Sequence, residues 1–110
     1  MARPLEVILY HCQQGGENAL KAYMVQNGVF PPKTHGMQDL RLTCQQWDDK
    51  FSGARLVDHC AFLDPFAVIV RYPKHNISLD SAHAARGLRS AKRVYDFVCE
   101  RLGLEKHYSE

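Results

Sequence analysis

Apolar residues recur at spacings of three and four along most of this chain, and proline or glycine falls between the runs. That period lays an apolar stripe along one side of an α-helix and fits no alternating strand. Leu5, Ile8/Leu9, Cys12, Gly16, Ala19/Leu20 and Tyr23 form the first run, opened by Pro4 and stopped by Gly28 with Pro31-Pro32. About 23 residues at 1.5 Å each predict a helix roughly 35 Å long. Met37, Leu40, Cys44, Trp47 and Phe51 step through a second helix, with Thr34 placed to cap it. Beyond Gly53, a third stripe is made by Leu56, Cys60, Leu63, Phe66/Ala67 and Val70. Asp64-Pro65 interrupts it, so a kink or an Asp-capped restart is expected, and Pro73 ends it near Arg71-Tyr72. The last helix is predicted from about Leu79 to Leu102, capped by Ser78 or Asp80 and closed by Gly103. Its expected stripe is Leu88, Ala91, Tyr95 with Val94, Val98 and Leu102. Four helices with short connections predict an all-α, antiparallel up-and-down bundle in a single domain, residues 1–110.

Cys12, Cys44, Cys60 and Cys99 have no pairwise metal-ligand spacing, and three fall on apolar stripes. They read as reduced, core-facing thiols, which favours the cytoplasm. The start of the chain carries no signal-peptide apolar core, and no run approaches the roughly 20 apolar residues of a membrane span. A formal charge of +2 is too small to draw nucleic acid to the molecule as a whole. On the last helix His83, Arg86, Arg89 and Arg93 fall opposite the expected stripe, as a solvated face or a docking strip, interrupted by Asp96 and Glu100. Trp47, Phe51, Phe66, Tyr95 and Phe97 read as core or interface aromatics. No phosphate-cradling glycine loop, metal constellation or cofactor motif is visible.

Three stretches carry a family resemblance. Tyr10-His11-Cys12-Gln13-Gln14-Gly15-Gly16-Glu17-Asn18-Ala19-Leu20-Lys21-Ala22, then Thr34-His35-Gly36-Met37-Gln38-Asp39-Leu40, then Arg71-Tyr72-Pro73 together resemble the HEPN family in order and separation. Gly15-Gly16 departs from the family's alanines and weakens the helix by roughly 1 kcal/mol per glycine unless close packing needs them. Family members usually carry a further amphipathic helix before the Gln-Gln helix. Here the chain starts almost at that point, so either the start is truncated or a bundle face lies open, and such a face tends to pair with a second copy.

The resemblance implies a module that binds a nucleotide or a partner, works beside a small nucleotidyltransferase in a toxin–antitoxin-like pair, and forms a homodimer. The ligand site it implies is Gln13, Glu17, Lys21, His35 and Arg71, with Lys21 and Arg71 on phosphate. From spacing alone, Gln13, Glu17 and Lys21 at i, i+4 and i+8 are equally a solvated edge holding one Glu–Lys pair. HEPN ribonucleases carry an Arg, then about four to six residues of any kind, then a His. Arg55 with His59 and Arg71 with His75 are spaced too closely for that, and Arg101 with His107 straddles the helix end at Gly103. The expectation is a binding module rather than an enzyme. An RNA-cleaving toxin with a displaced Arg71–His75 pair is one alternative, and a ligand-free dimeric assembly module is the other.

Overall fold

The computed structural model describes residues 4–33, 36–68 and 79–104. Helix α1 spans Pro4–Gln26, α2 Met37–Gln45, α3 Ala54–Leu63 and α4 Ser81–Leu102. Short 3-10 turns, Asp49–Ser52 and Asp64–Ala67, follow α2 and α3. Among the described residues there is no strand, and the four helices make an all-α bundle.

The long helices end where their sequence signals fall. Gly28, at φ +78°, closes α1, and the Val29 N–H returns to the Met24 carbonyl at 3.0 Å. Gly103, at φ +72°, closes α4 in the same manner, with the Leu104 N–H on the Cys99 carbonyl at 2.8 Å. Both are left-handed terminations that glycine adopts without strain. Asp80 caps α4, and its carboxylate accepts from the His83 N–H at 3.1 Å.

Helix α2 corrects the second run, which does not continue to Phe51. It stops at Gln45, and a fresh turn begins where the Asp48 carboxylate accepts from the Lys50 N–H at 2.9 Å. Buried Arg41 holds that turn by donating to the Phe51 carbonyl and to Gln45 Oε1, each at 3.1 Å. The N-cap of α2 is Gly36 rather than Thr34, which lies outside the described residues. Gly36 offers no side chain, and the Met37 N–H donates instead to Asp64 Oδ1 at 2.5 Å. Asp64-Pro65 ends α3 as a regular helix and tightens the chain into a 3-10 turn. The expected continuation through Val70 lies outside the described residues.

The three longer helices alternate in direction. Phe51, just before α3, packs on Tyr23 near the end of α1, while Leu63 at the end of α3 meets Gly16. Helix α4 runs back along α3, with Ser90 beside His59 and Arg86 over Phe62. Phe51 centres the core: its ring lies 4.6 Å from Tyr23 and 4.9 Å, edge to face, from Phe97. A smaller cluster joins Leu9 to Phe66.

The buried face of α4 is also not the expected one. Ala84, Gly87, Ser90, Val94, Val98 and Cys99 are buried, while Leu88 is 59% and Tyr95 38% exposed. A Cβ added at Gly87 would stand 2.6 Å from Leu9 Cδ2, so α1 approaches over the smallest residues of α4. Phe51 and Phe66 are core residues as expected, whereas Trp47 lies at the margin with Tyr95. All four cysteines are free and buried, and burial pushes the Cys44 and Cys60 thiols up to about 12, which makes them unreactive. No described helix is long and apolar enough to cross a membrane.

Candidate functional site

Helix α1 contacts every other helix of the bundle, so residues four apart on it can be drawn together under cover. Gln13, Glu17 and Lys21 do form one row, but the solvated-edge reading does not hold. Gln13 is fully buried and Glu17 is 2% exposed. A carboxylate so enclosed needs partners, and the row supplies two. Gln13 Nε2 donates to Glu17 Oε1 at 3.3 Å, and Lys21 Nζ donates to Glu17 Oε2 at 2.9 Å. Gln14 Nε2 extends the chain of bonds onto Gln13 Oε1 at 2.7 Å. Lys21 brings the row to the surface, its side chain 20% exposed. An ammonium carries three protons, and Glu17 is the hydrogen-bond partner of Lys21 among the described residues.

His35 and Arg71, the other members of the expected site, lie outside the described residues, as do His75 and His107. Gln13, Glu17 and Lys21 are therefore the part of the expected site that the structure brings together. Among the described residues no group of three or more His, Cys, Asp or Glu side chains could hold a metal ion.

A second polar concavity was not anticipated. Helices α3 and α4 flank a groove of about 710 Å3, with Arg55 and His59 on one wall and Arg86, Arg89 and Arg93 on the other. The buried Ser90 hydroxyl lies 3.0 Å from His59 Nδ1 and ties the ring to α4. Burial, then Arg93, with Arg86 adding less, hold the His59 pKa below its ordinary value, against an opposing pull from Asp58. The spacing of Arg86, Arg89 and Arg93 signals a common side of α4. Nothing in the sequence shows that this side faces Arg55 and His59. His83, grouped with these arginines in the sequence, instead completes the Asp80 cap.

A family model described as the HEPN domain matches residues 2–102. No curated protein and no solved structure matches the chain. With that match running over nearly the whole length of an all-helical bundle, the chain belongs to the HEPN domain family.

Proposed function

We propose that this HEPN chain is a cytoplasmic module that binds a nucleotide or a partner protein, with Lys21 at the mouth of its ligand site. The observation that carries this reading is the row on α1. It runs from fully buried Gln13 through Glu17 to a surface ammonium that retains protons for a phosphate. In this reading Glu17 fixes the lysine's position, Gln13 fixes Glu17, and His35 and Arg71 complete the site. The natural companion is a small nucleotidyltransferase, the two acting as halves of a toxin–antitoxin-like pair.

A homodimeric assembly module is the second reading. It draws on Val7 and Ile8 of α1 and Leu88 of α4, exposed apolar residues that flank the Leu9–Gly87 contact between those helices. It draws also on the buried members of the row, Gln13 and Glu17, which hold hydrogen-bond partners within the chain without a ligand.

Thermal unfolding with a panel of nucleotides separates the two. A ligand at about 100 times its dissociation constant adds roughly 2.7 kcal/mol of stability. At about 4 °C or more per kcal/mol, that shift is plain in a domain of this size. The expected result is a rise in wild type that disappears in folded Lys21→Met and Arg71→Ala proteins. No rise with any nucleotide, together with a concentration-dependent dimer in sedimentation, would leave the assembly reading. Total RNA degraded by wild type but by neither Arg71→Ala nor His75→Ala would instead make the protein a ribonuclease.

A further inference from the structure

The groove between α3 and α4 is remote in sequence from the α1 row and carries a different chemistry. Arg86, Arg89 and Arg93 stand at i, i+3 and i+7, so their Cα atoms span about 10 Å of one side of α4. Arg55 faces them across the groove. The Arg86 guanidinium is stacked 4.2 Å from the centre of the Phe62 ring. Arg55, Arg89 and Arg93 have no ion pair or hydrogen bond among the described residues, although Asp58, Asp96 and Glu100 line the same groove. An anion seated in the groove would be attracted by all four guanidinium groups that line it. His59 lies among them, and burial first, then Arg93 and to a smaller extent Arg86, disfavour its protonated form, with Asp58 opposing.

The groove also limits what the anion can be. The cationic stretch ends at Arg93, and Asp96 and Glu100 follow within the next two turns on the same lining. A long polyanion running on past Arg93 would meet those carboxylates, whereas a compact one would not. Among the described residues that line the groove, no Phe, Tyr or Trp other than Phe97 offers a ring for stacking a base. Phe97 is packed edge-on against Phe51 and lies beneath the Arg101 guanidinium.

We propose that the α3–α4 groove is a binding site for a compact polyphosphate anion, two or three linked phosphoryl groups held by Arg55, Arg86, Arg89 and Arg93. The source is either a free polyphosphate or the phosphate tail of a nucleotide, and the site is separate from Lys21.

Calorimetric titration of the full chain with tripolyphosphate tests this, in phosphate-free buffer at low salt. One saturable site is expected, tighter than that for orthophosphate or sulfate and weakened by added salt. The double variant Arg89→Gln/Arg93→Gln, both at exposed positions, should bind at least tenfold more weakly while keeping its circular dichroism. Lys50→Gln, outside the groove, should bind as wild type does. A nucleoside triphosphate equal to tripolyphosphate supports phosphate-only readout. A tighter one that the double variant also loses identifies the nucleotide as the source. Absent or non-saturable binding, or undiminished binding by the double variant, overturns the site. Loss in Lys21→Met but not in the double variant would move binding to the α1 row and overturn it equally. A single-stranded RNA bound through Arg89 and Arg93 more tightly than tripolyphosphate would overturn the compact anion.

Discussion

Gly15 and Gly16 are neighbours in sequence with opposite surroundings. A Cβ at Gly15 would meet nothing within 4 Å, whereas one at Gly16 would stand 2.7 Å from Met37 Cε and 3.3 Å from Leu63 Cδ1. Glycine inside a helix is about 1 kcal/mol worse than alanine, so Gly15→Ala should stabilise the fold by about 0.5–1 kcal/mol. Gly87→Ala gains the same propensity but drives a methyl to 2.6 Å from Leu9, which is fully buried. Overpacking costs about 1–3 kcal/mol, so that variant should lose stability. Thermal midpoints of the two variants check this: Gly15→Ala above wild type, Gly87→Ala below, and the reverse order would refute it. The glycine pair was legible as a departure from good helix formers. Which glycine a neighbour needs was not, because that depends on how α2 and α3 cross α1. The same limit applies to Gln13, Glu17 and Lys21: their spacing gave the row, while its burial came from packing.

Among the elements, α2 depends most on the rest of the chain. Nine residues are too few for a helix to persist alone in water. Its first turn receives no cap from Gly36, and Asp64, 27 residues further on than Met37, supplies one through the Met37 N–H. Asp64→Ala should therefore destabilise the protein by about 1 kcal/mol, with Asp64→Asn nearer to wild type. Amide exchange localises the effect, since faster exchange at Met37 with α4 unchanged is expected. Uniformly faster exchange would mean that Asp64 acts elsewhere. The contrast with α1 and α4 explains what the sequence could reveal. Pro4, Gly28, Asp80 and Gly103 mark those helix ends locally, so the bounds could be read. The end of α2 is set by Arg41 reaching the Phe51 carbonyl, and the Met37–Phe51 spacing suits an unbroken helix equally well. On α4 the largest apolar residues suggested the buried stripe, but the buried face runs through Ala84, Gly87 and Ser90, with Gly87 against α1 and Ser90 beside His59 of α3.

At the scale of the whole molecule, His59 in the groove is the group through which pH is expected to act on stability. Burial and the arginines hold its pKa below the ordinary 6.5, with Asp58 opposing them. The folded protein therefore keeps His59 neutral where the unfolded chain would protonate it. The resulting stability is complete above about pH 6.5 and is lost as pH falls through that value towards the lower folded pKa. Asp80 works over a different window. Hydrogen bonds from the His83 N–H and side chain hold its carboxyl below the usual range, so its contribution persists until pH falls below about 4. Between about pH 7.5 and 5.5, His59 should thus account for part of any fall in thermal midpoint. His59→Gln keeps a polar group beside Ser90 and removes the titration, so its midpoint should fall less than that of wild type over the same interval. Tripolyphosphate in the groove would offset the arginines, favour the imidazolium and flatten the wild-type curve, with no such change in His59→Gln. Parallel curves for the two proteins would show that His59 does not carry the coupling, even if the anion binds.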